Sequence, residues 1–208
     1  MNDDQTNFKQ SDQAAILLCL EGYPRSANST LAWEILALCK KLHQNRSAFL
    51  HHSHAPISIR KAIVAQVPTF VLIREPVGAV SSYHIYSGAP IAECIKRWTE
   101  FYASIRGLSN RFTLIEFDDV VRSPRSVAAA VLSAAGLTID GDDSHIELVL
   151  NEKKHLDPID DRKSIEPREF RNKEKERILK DIGAIDFDAA RKIYDFYRTQ
   201  PRLASAEC

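Results

Sequence analysis

The stretch EGYPRSANSTLAWEIL, Glu21–Leu36, decides how this chain is read. It follows the apolar run AAILLCL (Ala14–Leu20), which has the length and composition of a fully buried strand. It then runs into apolar positions Leu31, Ile35, Leu38 and Leu42 at helical spacing, so a helix is expected from Ser29 to His43. Against the phosphate-loop template G-x-x-x-x-G-K-[ST], the spacing from Gly22 to Ser29 fits. The identities fail twice. Ala27 stands at the second glycine and Asn28 at the lysine, while the basic residue sits three positions early, at Arg25.

A strand–loop–helix of small residues aims backbone N–H groups at an anion, and the helix dipole adds to the attraction. Gly22 permits a tight turn, and Ser26, Ala27 and Asn28 are small enough for close approach. An NTP-binding loop uses the lysine to reach the outer phosphates, a task an uncharged Asn28 leaves unfilled. Arg25 offers a guanidinium that forks onto two oxygens of one anion, which suits a single phosphate with one neighbouring anionic group.

Outward from the loop, TFVLI (Thr69–Ile73) reads as a second buried strand, ended by Arg74, with Pro76 suited to a helical first turn. FTLIEF (Phe112–Phe117) reads as a third strand. Ala48–Pro56 is expected to be extended, Ile57–Gln66 a short helix, and Ile91, Ile95, Trp98, Tyr102 and Ile105 a helical core stripe. Helices are also expected near Val127–Ala135 and Asp186–Arg198. Strands alternating with helices argue an α/β fold, three layers with a central parallel sheet. In such sheets ligands bind beyond the carboxyl ends of the strands, so Arg74 and the Gly22–Ser29 loop are expected on one edge. Ser82 lies eight residues beyond Arg74.

The bulk numbers narrow the classes. The 208 residues suit one domain, taken as 14–208 after a polar tail at 1–13, with the charge-dense 157–177 a candidate lid. Lys plus Arg and Asp plus Glu number 28 each, so no global field points to nucleic acid or an acidic membrane. The polar, acidic start lacks a signal-peptide pattern, and no apolar run is long enough to span a bilayer. Cys19, Cys39, Cys94 and Cys208 are widely spaced, and a cytoplasmic protein with reduced thiols is expected.

Three of the seven histidines, His51, His52 and His54, cluster before Pro56. On an extended segment His52 and His54 would share a face. Histidine titrates where a general base is useful. A zinc site is the competing reading, but no third ligand has convincing spacing, and no metal is expected.

Taken together these segments resemble the cytosolic-type sulfotransferases, which use 3′-phosphoadenosine 5′-phosphosulfate (PAPS) and release 3′,5′-ADP. GYPRSANSTL resembles their 5′-phosphosulfate loop. VLIREPVGAVSSYHIY resembles their 3′-phosphate motif, and HSHAP their K-T-H-L-P segment. The resemblance runs from Ala14 to about Phe117. It implies a P-loop-like sulfotransferase fold, with Arg25, Ser26, Ala27, Asn28, Ser29 and Thr30 in the phosphosulfate loop. It also implies Arg74 and Ser82 at the 3′-phosphate and His54 as the base, with Arg25 neutralising charge on the leaving group. His52, the fallback base, would touch the acceptor with Tyr83 and His84. Arg162–Lys163 is the nearest candidate for the family's R-K-G lid motif. The chain departs from the family at Asn28 and Ser29, where a threonine pair is commoner, and at His52, where K-T-H has lysine. The expected partner is a small hydroxyl or amine acceptor. A nucleotide kinase or a non-catalytic nucleotide-binding protein of the same fold are the alternatives.

Overall fold

The computed structural model describes residues 15–156, 173, 176–178, 180 and 186–203. The tail at 1–13, Arg162, Lys163 and most of the candidate lid lie outside the described residues.

Four parallel strands form one sheet: β1 (Leu18–Gly22), β2 (Phe49–His51), β3 (Thr69–Ile73) and β4 (Thr113–Glu116), in the order β2-β1-β3-β4. The register pairs Leu20 with His51 and Phe70, and Leu72 with Ile115. Side chains alternate across the sheet, as strand geometry requires. Leu18, Leu20, Phe70, Leu72 and Ile115 face one apolar cluster; Val71, Ile73 and Leu114 face the other. Helices α1 (Asn28–Leu38), α7 (Pro124–Ala134) and α8 (Asp143–Leu156) cover the first face. Helices α3 (Pro56–Val64), α4 (Pro76–Ser87), α5 (Ile91–Ile105) and α9 (Asp188–Arg198) cover the second. The α/β reading therefore holds, with a fourth strand, β2, where only an extended segment was expected.

Local chemistry sets the boundaries. Pro56, Pro76 and Pro124 each open a helix, where a missing N–H costs nothing. Glu75 caps α4 by accepting from the N–H groups of Val77 and Gly78. The helix expected at Ser29–His43 breaks at Cys39, whose backbone is extended, and resumes as α2 (Lys40–Gln44). The linker before α8 takes over the hydrogen bonds there. Asp140 and Gly141 donate N–H to the Leu38 carbonyl, and Lys40 N–H donates to Asp140 Oδ1 at 2.8 Å. A Cβ on Gly141 would lie 2.1 Å from the Ala37 carbonyl oxygen, so this crossing tolerates only glycine. A short α6 (Phe117–Arg122) and α8 itself went unread in the sequence. Trp98 is fully buried on α5, where it packs on Tyr102. Among the described residues no helix is long and apolar enough to cross a membrane.

Candidate functional site

Strand β1 ends at Gly22, where a Cβ would lie 2.7 Å from the Leu72 carbonyl and 3.1 Å from Asn28 Oδ1. Only glycine lets β1, β3 and the returning chain meet this closely. Arg25 and Ala27 then take left-handed backbone conformations, both at φ 68°, to fold the loop back onto α1. Two tyrosines and an asparagine hold it. The Tyr102 hydroxyl donates to the Leu72 carbonyl at 2.7 Å and sits 3.4 Å from the Tyr23 amide. Tyr23 in turn donates its hydroxyl to the Cys94 carbonyl at 3.1 Å. Burial pushes the ionisation of both phenols far up, so each remains a neutral donor.

Asn28 answers the question raised by the missing lysine. Its side chain is buried, and its amide donates to the Tyr23 carbonyl at 3.1 Å, strapping the loop shut. Position 28 is thus a brace whose side chain is turned inward. Among the described residues no side chain caps the first turn of α1, where Ala27 is the N-cap, which leaves the opening N–H groups of an eleven-residue helix for solvent or a ligand.

Three elements bring the sequence-predicted basic residues together. Arg25, on the loop, donates Nε–H to Ser82 Oγ on α4 at 3.2 Å, and its guanidinium lies 5.1 Å from the Tyr86 ring centre. Arg74, at the end of β3, donates from Nη1 to the Arg25 carbonyl at 3.0 Å. Its guanidinium stacks on Phe117 at 4.1 Å and rests over Gly78, where a Cβ would lie 3.2 Å from Nε. Burial lowers the Arg74 pKa, and the nearby charge of Arg25 lowers it further, while Glu75 acts in the opposite direction. Among the described residues neither guanidinium forms an ion pair with a carboxylate. Two cations and a hydroxyl therefore share one patch at the carboxyl edge of the sheet.

The histidine segment departs from the extended reading. Strand β2 stops at His51, and His52 (φ 59°) and His54 (φ 49°) both turn left-handed. Glu21, fully buried at the end of β1, stabilises this turn by accepting the N–H of Ser53 at 3.0 Å and of His54 at 2.9 Å. His54 Nδ1 lies 2.7 Å from the Gly22 carbonyl, an acceptor only, so Nδ1 carries the proton and Nε2 the lone pair. The His54 ring lines a cavity of about 620 Å³ with Tyr23, Tyr83, Phe101 and Arg60. The His52 and His54 rings still meet, 5.8 Å centre to centre, but through a turn and not an extended strand, and they line different cavities. His52 meets Ser29 Oγ at 2.8 Å through Nε2, and its Nδ1 contacts His51 Nδ1, beside a smaller cavity.

The remaining predicted residues divide. Tyr83 stands on the wall of the large cavity, edge-on to Tyr23. His84 lies away from it, with Nδ1 2.6 Å from the Ala89 carbonyl past the end of α4. Ser26 is fully buried within the loop, with neither side chain nor backbone exposed; Thr30 is half-buried in the first turn of α1. Arg162 and Lys163 lie outside the described residues. Sequence reasoning missed Glu21, Tyr23 and Tyr102. The signal for Glu21 was present, since a carboxylate ending an otherwise apolar strand needs partners inside. Glu116, at the end of β4, is nearly buried and meets Arg202 at 3.2 Å. Among the described residues no three His, Cys, Asp or Glu side chains are grouped to hold a metal ion.

Compared with known proteins, the sequence matches no protein-family model and no curated protein.

Proposed function

We propose that this chain is a PAPS-dependent sulfotransferase of the P-loop-like α/β/α fold, acting on a hydroxyl or amine of a small acceptor. The observation that carries the reading is one juxtaposition about Gly22. Its loop leads to the Arg25–Arg74–Ser82 patch, and its carbonyl sets the tautomer of a histidine whose lone pair serves the adjoining cavity.

The residues present suit the donor. Arg25 and the first-turn N–H groups of α1 would hold its 5′ anionic end, and Arg74 with Ser82 its 3′-phosphate. The bare Cα of Gly78 leaves the space in which the Arg74 guanidinium lies. When bound, PAPS supplies the sulfuryl group for in-line displacement at sulfur. The chain then has two tasks. Arg25 and the loop amides offset charge that develops on the leaving oxygen, an effect strongest where donors are already oriented. His54 Nε2 accepts the acceptor's proton, and the Gly22 carbonyl steadies the resulting imidazolium. The walls of the large cavity hold the acceptor near that nitrogen and limit water.

A kinase of the same fold would need a cation at position 28, and the Asn28 side chain is spent on the Tyr23 carbonyl. Thermal unfolding separates the readings. At a hundred times its Kd, 3′,5′-ADP contributes about 2.7 kcal/mol, which for a chain of this size raises Tm by roughly 5–10 °C. The shift is expected without magnesium. A shift by ATP with magnesium and none by 3′,5′-ADP would replace this reading with the kinase.

A further inference from the structure

We propose that a second ligand site, for a small organic oxyanion, lies between β2 and α1, on the far side of the phosphate-binding loop from Arg74. The cavity there measures about 220 Å³. An apolar cavity of about 150 Å³ accommodates a benzene ring, so this one has room for a compact apolar body with a charged head.

Its lining divides along those lines. Ala32, Leu36 and the Trp33 indole form the apolar side. Ser29, His51, His52 and Arg46 form the polar side, and each is a hydrogen-bond donor or becomes one on protonation. The Arg46 guanidinium lies 5.4 Å from the Trp33 ring centre, so the lining's one cation of fixed charge is held against the indole where the polar and apolar sides meet. Ser29 stands in the first turn of α1, where the dipole favours negative charge.

The three polar groups nearest the helix form one chain of hydrogen bonds, Ser29 Oγ to His52 Nε2 and His52 Nδ1 to His51 Nδ1. An Nδ1-to-Nδ1 contact holds one proton, so the chain has two arrangements. In one, His52 donates to His51 and Ser29 donates to His52. In the other, His51 donates to His52, His52 donates to Ser29, and the Ser29 hydroxyl turns outward as a donor. An oxyanion beside Ser29 selects the second arrangement.

The charged surroundings point the same way. From the neighbouring elements the site is faced by His43 on α2, Arg46, and Glu152 and His145 on α8; His54 lies 5.8 Å from His52 ring to ring, and Glu21 is committed to backbone amides. Glu152 accepts from Arg46 Nη2 and lies 3.0 Å from His43 Nε2. That leaves other N–H groups of the Arg46 fork for a ligand. Burial and the charge of Arg46 hold the His51 pKa below its usual value, and the negative charge of a bound anion would offset the second of these influences. Affinity should therefore rise as pH falls through the histidine range.

The site does not depend on the sulfotransferase reading, and the experiment keeps the two apart. The imidazole ¹⁵N signals of the full chain are followed by NMR while phenyl phosphate, phenyl sulfate, benzoate, inorganic sulfate or uncharged phenol is added. The three organic anions should shift the His51 and His52 rings saturably and leave His84 unmoved. They should bind more tightly at pH 6 than at pH 8, and more tightly than phenol or inorganic sulfate. Arg46→Gln, and independently His51→Gln, should weaken binding about tenfold, the loss of one charge-assisted hydrogen bond. Arg74→Ala should leave it unchanged, and saturating 3′,5′-ADP should not displace the organic anion. Unmoved His51 and His52 signals, equal affinity for phenol, or displacement by 3′,5′-ADP would each overturn the second site. The last result would assign the anion to the Arg25 patch instead.

Discussion

Replacing Glu21 by glutamine tests how the histidine turn is held. The carboxylate is fully buried and accepts two backbone N–H groups, at 3.0 and 2.9 Å. Hydrogen bonds to a charged acceptor contribute about 1.5–3 kcal/mol each, so the pair is worth about 3–6 kcal/mol in gross terms. The amide keeps one neutral bond of about 1 kcal/mol and turns its NH₂ toward the other N–H, leaving a donor facing a donor. Relief from burying a charge offsets part of this loss, so the net destabilisation expected is about 1–3 kcal/mol. With a urea m-value of about 2 kcal/mol per molar, the midpoint should fall by roughly 0.5–1.5 M. Hydrogen exchange reads the site directly. In the variant the Ser53 and His54 amides should exchange far faster, while amides in the centre of β3 change only with global stability. If Ser53 and His54 exchange alike in both proteins, Glu21 does not hold the turn and the orientation argued for His54 loses its cause.

Asn28→Lys should not create affinity for ATP with magnesium. Burying an ammonium at this brace should lower stability by several kcal/mol, visible in Tm, and a stable variant that binds ATP tightly would contradict the inward role of position 28. His54→Gln should reduce sulfuryl transfer about 10²–10⁴-fold while leaving 3′,5′-ADP affinity within about twofold, as measured by turnover beside calorimetry. Burial raises the Glu116 pKa above its ordinary 4.5, so this group's contribution is full below that value and is lost as pH rises through the raised one. Stability of Glu116→Gln relative to wild type should accordingly be more favourable at pH 8 than at pH 4. A difference that is flat with pH would remove burial as the cause.

Much of the fold was legible because the signal was local. The runs that became β1, β3 and β4, the proline at the start of α4 and the α5 stripe all declare themselves within a few residues. What escaped notice depends on distant partners. Strand β2 is three residues long and exists because β1 offers an open edge. Helix α1 ends at Cys39 because Asp140 and Gly141, a hundred positions away, supply its hydrogen bonds. At the site, the carboxyl-edge rule was enough to predict that Arg74 and the Arg25 loop would share one edge, while Ser82 was singled out only by the family resemblance. The histidine turn was misread because nothing in HHSHAP signals two left-handed residues, a conformation maintained by Glu21, thirty positions upstream. The inward Asn28 was equally hidden, since a buried amide and a ligand-binding amide look alike in sequence.

The central claim is that Arg25 and Arg74 hold two separate anionic groups of one nucleotide. Calorimetric titration of 3′,5′-ADP and 5′-AMP into the wild-type chain and into Arg74→Ala tests it most directly. The account predicts that 3′,5′-ADP binds wild type at least about tenfold more tightly than 5′-AMP, as one charge-assisted contact requires, and that Arg74→Ala erases the difference by weakening 3′,5′-ADP alone. Equal affinities for the two nucleotides in wild type, or equal losses in the variant, would contradict it.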